Sequence, residues 1–149
     1  MNYYKHTQPG YVLFATYAVL LVVLYFALGT VPDSERNQLT QATLFLLVLA
    51  GLLFGALNVK VDDTHVRISF GIGVIRRKFA FSEIASAQTL RNKWFYGFGI
   101  RYIGPKSWLF NVSGLDAVEL KMKNGKIYRI GTDEPKELLQ AIESRLQTS

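Results

Sequence analysis

In this 149-residue chain, the stretch richest in chemically capable side chains is Arg91-Asn92-Lys93-Trp94-Phe95-Tyr96-Gly97-Phe98-Gly99. Cations interleaved with rings suit a loop in a membrane interface, with the rings at headgroup depth and the charges on phosphates. The same residue types anchor a partner peptide or helix, where Trp, Tyr and Arg are favoured. They would also serve a barrel core, rings inside and cations in solvent. Nucleic-acid binders use them too, but no nucleic-acid partner is expected if the uncharged runs read below tether the chain to a bilayer. A second basic run, Arg76-Arg77-Lys78, can meet anionic headgroups at ~1 kcal/mol per cation near the surface, or form a solvated strand face. Lys60, Arg67 and Arg101 complete the cationic candidates for lipid or partner contact. Asp62 and Asp63 stand between Lys60 and Arg67 and would repel a phosphate placed there.

Catalytic chemistry finds no such cluster. No Ser, His and acid set and no pair of carboxylates with a plausible pocket can be assembled. His6 and His65 each lack a second imidazole or a carboxylate cluster nearby in sequence, so no metal is expected. The chain has no cysteine, which excludes disulfides and thiol chemistry. Gly71-x-Gly73 and Gly97-x-Gly99 lack the third glycine and following helix of a phosphate loop. Asn111-Val112-Ser113 matches a glycosylation sequon, but it falls in an apolar strand pattern on the expected cytoplasmic side. The expectation is a non-enzymatic protein without cofactor.

These residues need elements to carry them, and the charge distribution divides the chain in two. Only Lys5 and Arg36 of its seventeen Lys and Arg precede Lys60, and the rest of the chain sets fifteen basic residues against nine acids. Tyr11 to Val31 carries no charge, and its 21 residues reach ~31 Å as a helix, enough for a hydrocarbon core. Ala42 to Val59 is a second uncharged run of ~27 Å. Each holds eleven Leu, Phe or Val between residues 11–28 and 42–59, a gain of about 3–7 kcal/mol towards insertion. The expected organisation is a tail over 1–10, spans over 11–31 and 42–59 joined by a loop over 32–41, then a domain over 60–149. Lys5 before the first span, with Lys60 and Arg67 after the second, sets both ends on the cytoplasmic side. Tyr3, Tyr4 and Tyr11 suit the interfacial belt. A cleaved signal peptide is the competing reading, since Ala27-Leu28-Gly29 resembles a processing site. Neither span carries an ionisable Asp, Glu, Lys, Arg or His, which points to an anchor rather than a transport path. Gly51 and Gly55 form a GxxxG pattern that permits close helix packing, within the chain or between two copies.

Beyond Asn58 the period changes to two. Val66, Ile68, Phe70 and Ile72 alternate with polar or small residues, as do Val118, Leu120 and Met122. Asn124-Gly125 predicts a type I′ hairpin turn into 126–130. Further strands are expected over 59–62, 74–79, 84–90, 99–103 and 108–112, about seven short strands in all, which is a small sandwich or barrel. Thr132-Asp133-Glu134-Pro135 can open a helix, with Leu138, Leu139, Ile142 and Leu146 on one face.

Seven strands and a C-terminal helix are the architecture of the pleckstrin-homology (PH) fold. The run from Gly99-Ile100-Arg101-Tyr102 through Trp108-Leu109-Phe110-Asn111-Val112-Ser113-Gly114 and Ala117-Val118-Glu119-Leu120 to Gly125–Pro135, with Phe81-Ser82-Glu83-Ile84-Ala85-Ser86, resembles the bacterial PH-like membrane proteins. In that family a two-helix hairpin precedes one PH-like domain. The resemblance implies a bacterial inner-membrane location and a PH-like barrel or sandwich capped by a helix, and it supplies no catalytic or ligand residues. The expected function is a membrane-anchored module whose basic, aromatic face engages inner-leaflet headgroups. The alternative is an accessory or assembly subunit that binds another membrane protein.

Overall fold

The computed structural model describes residues 4–147, so Tyr3 lies outside the described residues. The elements run β1 (Tyr4–Pro9), α1 (Tyr11–Leu28), α2 (Asp33–Phe54), β2 (Ala56–Val61), β3 (His65–Phe70), β4 (Ile75–Ala80), β5 (Ile84–Arg91), β6 (Gly99–Gly104), β7 (Ser107–Asn111), β8 (Asp116–Met122), β9 (Ile127–Gly131) and α3 (Pro135–Leu146). The two N-terminal helices are long and apolar enough to cross a membrane. Neither has a buried residue, and α1 is hydrophobic around its whole circumference. In water such a surface would be an aggregation site; in hydrocarbon it is the ordinary one.

The helix limits differ from the sequence expectation at both ends of α2. Residues 33–41, expected as loop, are helical. Asp33 and Glu35 sit in the first turn, where the helix dipole favours acids, and Arg36 pairs with Asp33. At the other end the uncharged run divides at Gly55. Helix gives way to β2 there, because Leu57, Val59 and Val61 are needed inside the sandwich, where all three are buried.

Nine strands among the described residues form two sheets, in the orders β1-β2-β3-β4 and β5-β8-β9-β7-β6, against about seven expected, and eight of them fall on segments read as strands in the sequence. The ninth is β1, which precedes α1 yet pairs antiparallel with β2, Lys5 opposite Lys60 and Pro9 opposite Ala56. A fragment starting at residue 60 would therefore lose β1 and most of β2. The amide of Gly10 also donates to the Gly55 carbonyl at 2.8 Å, which clasps the two feet of the hairpin. The second departure is a parallel pair, β7 with β9, inside an otherwise antiparallel sheet. The β8–β9 turn is also not type I′. Asn124 keeps a negative φ and Gly125 alone is left-handed (φ +80°), with Gly125 N–H donating to Met122 O at 2.9 Å and Lys126 N–H to Asn124 Oδ1 at 3.0 Å. The Asn side chain itself closes the turn.

The core lies between the sheets. Phe70, Phe79, Phe110 and Tyr128 form its aromatic centre, with ring centroids 4.8–6.4 Å apart. Helix α3 closes one side by burying Leu138 and Ile142 completely, each gaining about 1.5–3 kcal/mol. Its start is held by Pro135 in the first turn, while Thr132 Oγ1 accepts from Glu134 N–H at 3.0 Å. The acids expected to cap it are spent elsewhere: His6 lies 2.6 Å from Asp133 and 3.2 Å from Glu134, and the Tyr4 hydroxyl donates to Glu134 at 3.2 Å. Burial and the Glu134 carboxylate push the Tyr4 hydroxyl well above its ordinary pKa. These contacts tie β1 to α3.

Candidate functional site

Strand pairing assembles a row that the linear sequence conceals. Lys5 stands opposite Lys60, Lys60 opposite Arg67, and Arg67 opposite Lys78, so one cation from each strand of the first sheet lies in register across its outer face. Arg76 extends from the same face two residues nearer the hairpin. Together they line a shallow hollow of about 740 Å³. Like charges directly opposite each other destabilise a sheet by roughly 0.2–1 kcal/mol per pair. Among the described residues only Arg67 in this row has a carboxylate partner, Asp62 at 2.7 Å.

The two acids expected to repel an anion here are engaged within the chain. Asp63 pairs with Arg145 at 3.0 Å. Asp62 closes the β2–β3 turn, accepting from Thr64 N–H and His65 N–H at 2.9 Å and from Thr64 Oγ1 at 3.0 Å. Burial would raise its pKa, but these hydrogen bonds and Arg67 outweigh burial and hold the carboxyl below the usual carboxylate range. A depressed folded-state pKa stabilises above the unfolded value, and that contribution is lost as pH falls through the folded one. Asp62→Ala is expected to cost about 1 kcal/mol at neutral pH. The gap to the parent should narrow below pH ~4. Thermal unfolding at pH 7 and pH 3 checks this; a gap unchanged at pH 3 would refute it.

The aromatic loop occupies the hairpin end of the sandwich. Asn92 N–H donates to Leu115 O at 2.7 Å, and the adjoining Ser113 hydroxyl reaches Pro9 O at 2.8 Å, just before α1 begins. Gly97, Phe98 and Arg101 line a groove with Val12, Leu13 and Thr16 of α1. Trp94 and Phe95 are 79% and 60% exposed, so these two rings do not fill the core. They stack edge to face at 6.0 Å, and Lys93 sits 5.6 Å over the Phe95 ring. Tyr96 is half-buried.

What holds this loop is a polar network on the outer face of the second sheet. Arg129 Nε donates to Glu119 Oε2 at 2.9 Å, its Nη1 donates to Asn92 Oδ1 at 3.3 Å, and its guanidinium lies 5.8 Å over the Tyr96 ring. Gln88 donates to Glu119 Oε1 at 2.9 Å. Glu119 and Asn92 are both buried. Of these five residues only Asn92 and Tyr96 stood out in the sequence, as members of the loop. Glu119 in particular reads as the polar half of an alternating strand.

On the other flank of the hairpin, the β3–β4 turn rests on α2. Ile72 N–H donates to Leu52 O at 2.9 Å. Ile72 and Val74 point outward, 63% and 67% exposed. The hairpin thus leaves the sandwich between two exposed apolar tips, Ile72/Val74 and Trp94/Phe95. Sequence reading put Ile72 in a half-buried strand and missed this tip.

The other expected residues are dispersed. Arg91 ends β5 opposite Asp116. Arg101 donates through Nε to Phe98 O at 2.8 Å. Arg77 lies on the opposite face from Arg76 and Lys78, across from Ile68, and is separated from the basic run it was read with. Lys5 was missed because a strand before the first helix has only six residues of weak alternation. Gly51 and Gly55 lie against Tyr17 and Phe14 of α1 in the same chain. No cluster of three or more His, Cys, Asp or Glu able to hold a metal occurs among the described residues. Comparison with protein families, curated proteins and solved structures found no match to this chain.

Proposed function

We propose that the chain is a non-enzymatic, membrane-anchored PH-like module that lays its basic face on anionic lipid headgroups of a bacterial inner membrane. The observation that carries this reading is the row Lys5, Lys60, Arg67 and Lys78, on a sheet whose strands continue directly into both apolar helices. Lys5 lies four strand steps before Pro9, so the row stands at most about 13 Å beyond the hairpin feet. That distance puts its side chains within reach of the headgroup layer and about one Debye length of its charge. Mutual repulsion along the row is relieved by a layer of phosphates. Trp94 and Phe95 suit the interfacial belt beside it.

The cytoplasmic orientation rests on Lys5, Lys60 and Arg67 flanking the spans. Pairing of β1 with β2 adds a physical requirement that both ends of the hairpin share one side. Cleavage near Gly29 would remove β1 from its sheet, which speaks against a signal peptide. Two sheets and a closing helix support the PH-like assignment, in a version with an added edge strand and a parallel pair.

Full-length protein in nanodiscs, treated with a lysine-acylating reagent, tests the reading. In discs with anionic lipid, Lys5, Lys60 and Lys78 are expected to label roughly three- to tenfold more slowly than in neutral discs, and ~0.5 M salt should abolish the difference. Lys136, exposed on α3, serves as the internal reference. Equal labelling in both discs would overturn headgroup engagement and leave the basic face to a membrane-protein partner.

A further inference from the structure

Between the edge strand β4 of one sheet and β6–β7 of the other, the sandwich stays open. The cleft there has a volume of about 360 Å³, within the range of ligand sites, about 300–1,000 Å³. Its inner wall is the aromatic core, Phe70, Phe110 and Tyr128. The neighbouring Tyr102 and Trp108 lie on the same side of β6–β7 as Ile100 and Phe110, facing the core, yet both are exposed because the first sheet does not extend over them. Their rings meet edge to face at 5.5 Å.

The cleft has a polarity along its length. Its end nearest the hairpin is mainly apolar, formed by Phe70, Ile75 and Ile100 with Arg76 at its rim, and Phe70 and Ile75 flank the turn that rests on α2. Farther from the hairpin come Arg77, on the inner side of β4, and Lys126, in the β8–β9 turn. Arg77 touches Tyr128, its Nη2 3.3 Å from the hydroxyl and its guanidinium 5.5 Å over the ring, and has no carboxylate partner among the described residues. No acid lines the cleft. An inward-pointing charge on an edge strand can serve to discourage strand pairing. That role would account for Arg77 but not for Lys126 or for the open apolar half.

We infer that this cleft holds an acyl chain of a single anionic lipid from the adjoining leaflet, with the lipid phosphate on Arg77 and Lys126. A lipid in a leaflet has its tail towards the bilayer and its anionic head away from it, which is the sense of the gradient from Ile75 and Ile100 to Lys126. The lipid would be lifted by a few residues of strand while its chain remains continuous with the hydrocarbon. The inference rests on the membrane-anchored reading, and the test separates the two.

The chain has only two tryptophans, one in the cleft wall and one in the aromatic loop. Trp94→Phe leaves Trp108 as the reporter, and Trp108→Phe leaves Trp94. Full-length variants are placed in neutral nanodiscs doped with phosphatidylglycerol or phosphatidylcholine, each with a nitroxide near the head end of one chain. The labelled phosphatidylglycerol is expected to quench Trp108 strongly and the labelled phosphatidylcholine weakly. Arg77→Glu should raise the amount of phosphatidylglycerol needed by roughly tenfold. Lys126→Glu, in an exposed turn, gives the same readout where the Arg77 variant fails to fold. If Trp94 is quenched by both lipids and Trp108 by neither, the cleft inference falls and the membrane reading stands. If neither tryptophan is quenched, the cleft inference falls together with the placing of Trp94 in the interfacial belt, and the lysine labelling alone decides the headgroup reading. Equal quenching of Trp108 by the two lipids, unchanged by Lys126→Glu, would overturn the assignment of an anionic ligand.

Discussion

Arg129→Ala is expected to unfold the β domain more readily than any other single surface-strand change, at a cost of about 3–5 kcal/mol. Removing the guanidinium leaves the buried Glu119 carboxylate with only Gln88 as a hydrogen-bond partner. It also removes the side-chain contacts that hold Asn92 and Tyr96 of the aromatic loop. Two readouts follow. The Tm of the full chain in detergent should fall by more than about 10 °C, and trypsin should cut at Lys93 much faster at temperatures where the domain is still folded. Glu119→Gln combined with Arg129→Met should recover much of the Tm, since no charge is then stranded, while the loop stays protease-sensitive. A drop in Tm below about 4 °C for Arg129→Ala would show that the network contributes little.

Gly71→Ala is expected to have the second largest effect, about 2–4 kcal/mol, and to act at the junction of helix and sheet. Gly71 has φ +47°, a conformation that strains an alanine. A Cβ there would also run into the Leu52 carbonyl, so the turn would have to leave α2 and give up the Ile72 to Leu52 hydrogen bond. The measurable result is mechanical as well as thermodynamic. Nitroxides on residues 46 and 74 should report a narrow distance distribution in the parent and a broad one in the variant. Gly73→Ala is the control, because it shares the positive φ but meets only the end of the Arg76 side chain. If both variants leave the distribution narrow, the turn does not fix the sheet to the helix.

The sequence made the strands legible wherever one face meets the core and the other meets solvent. Val66–Phe70 and Val118–Met122 alternate because they lie within such half-buried sheets, and the observed β3 and β8 contain both. The uncharged runs were legible as helices for the same reason, a uniform solvent. The errors fall where a residue obeys two demands. Leu57 and Val59 are as apolar as a span requires, but they belong to the sandwich core. Residues 33–41 are polar like a loop, yet helical, because a helix outside a bilayer core tolerates polar side chains and its first turn favours Asp33 and Glu35. Candidate residues were read as linear runs, while the site is made by pairing across strands. Arg76-Arg77-Lys78 splits over two faces, and Lys5 joins a row from 55 residues away in the chain. The aromatic loop, contiguous in sequence and in space, was recognisable as a unit before folding, whereas Lys60, Arg67 and Lys78 were recognisable singly but not as a row.

The pairing of β1 with β2 also sets an order of events during synthesis. β1 is made first, but its partner emerges only after both apolar helices have been translated. At about 5–20 residues per second, the strand waits some seconds with an unpaired edge. In the proposed topology it must wait on the cytoplasmic face. A first helix inserted the wrong way round would carry β1 across the bilayer, leaving β2 without its neighbour and Gly55 without the Gly10 amide. The finished sheet therefore acts as a check on insertion. Only a hairpin that has returned to its starting side can complete the domain, and a chain that has not presents an open strand edge to the quality-control machinery.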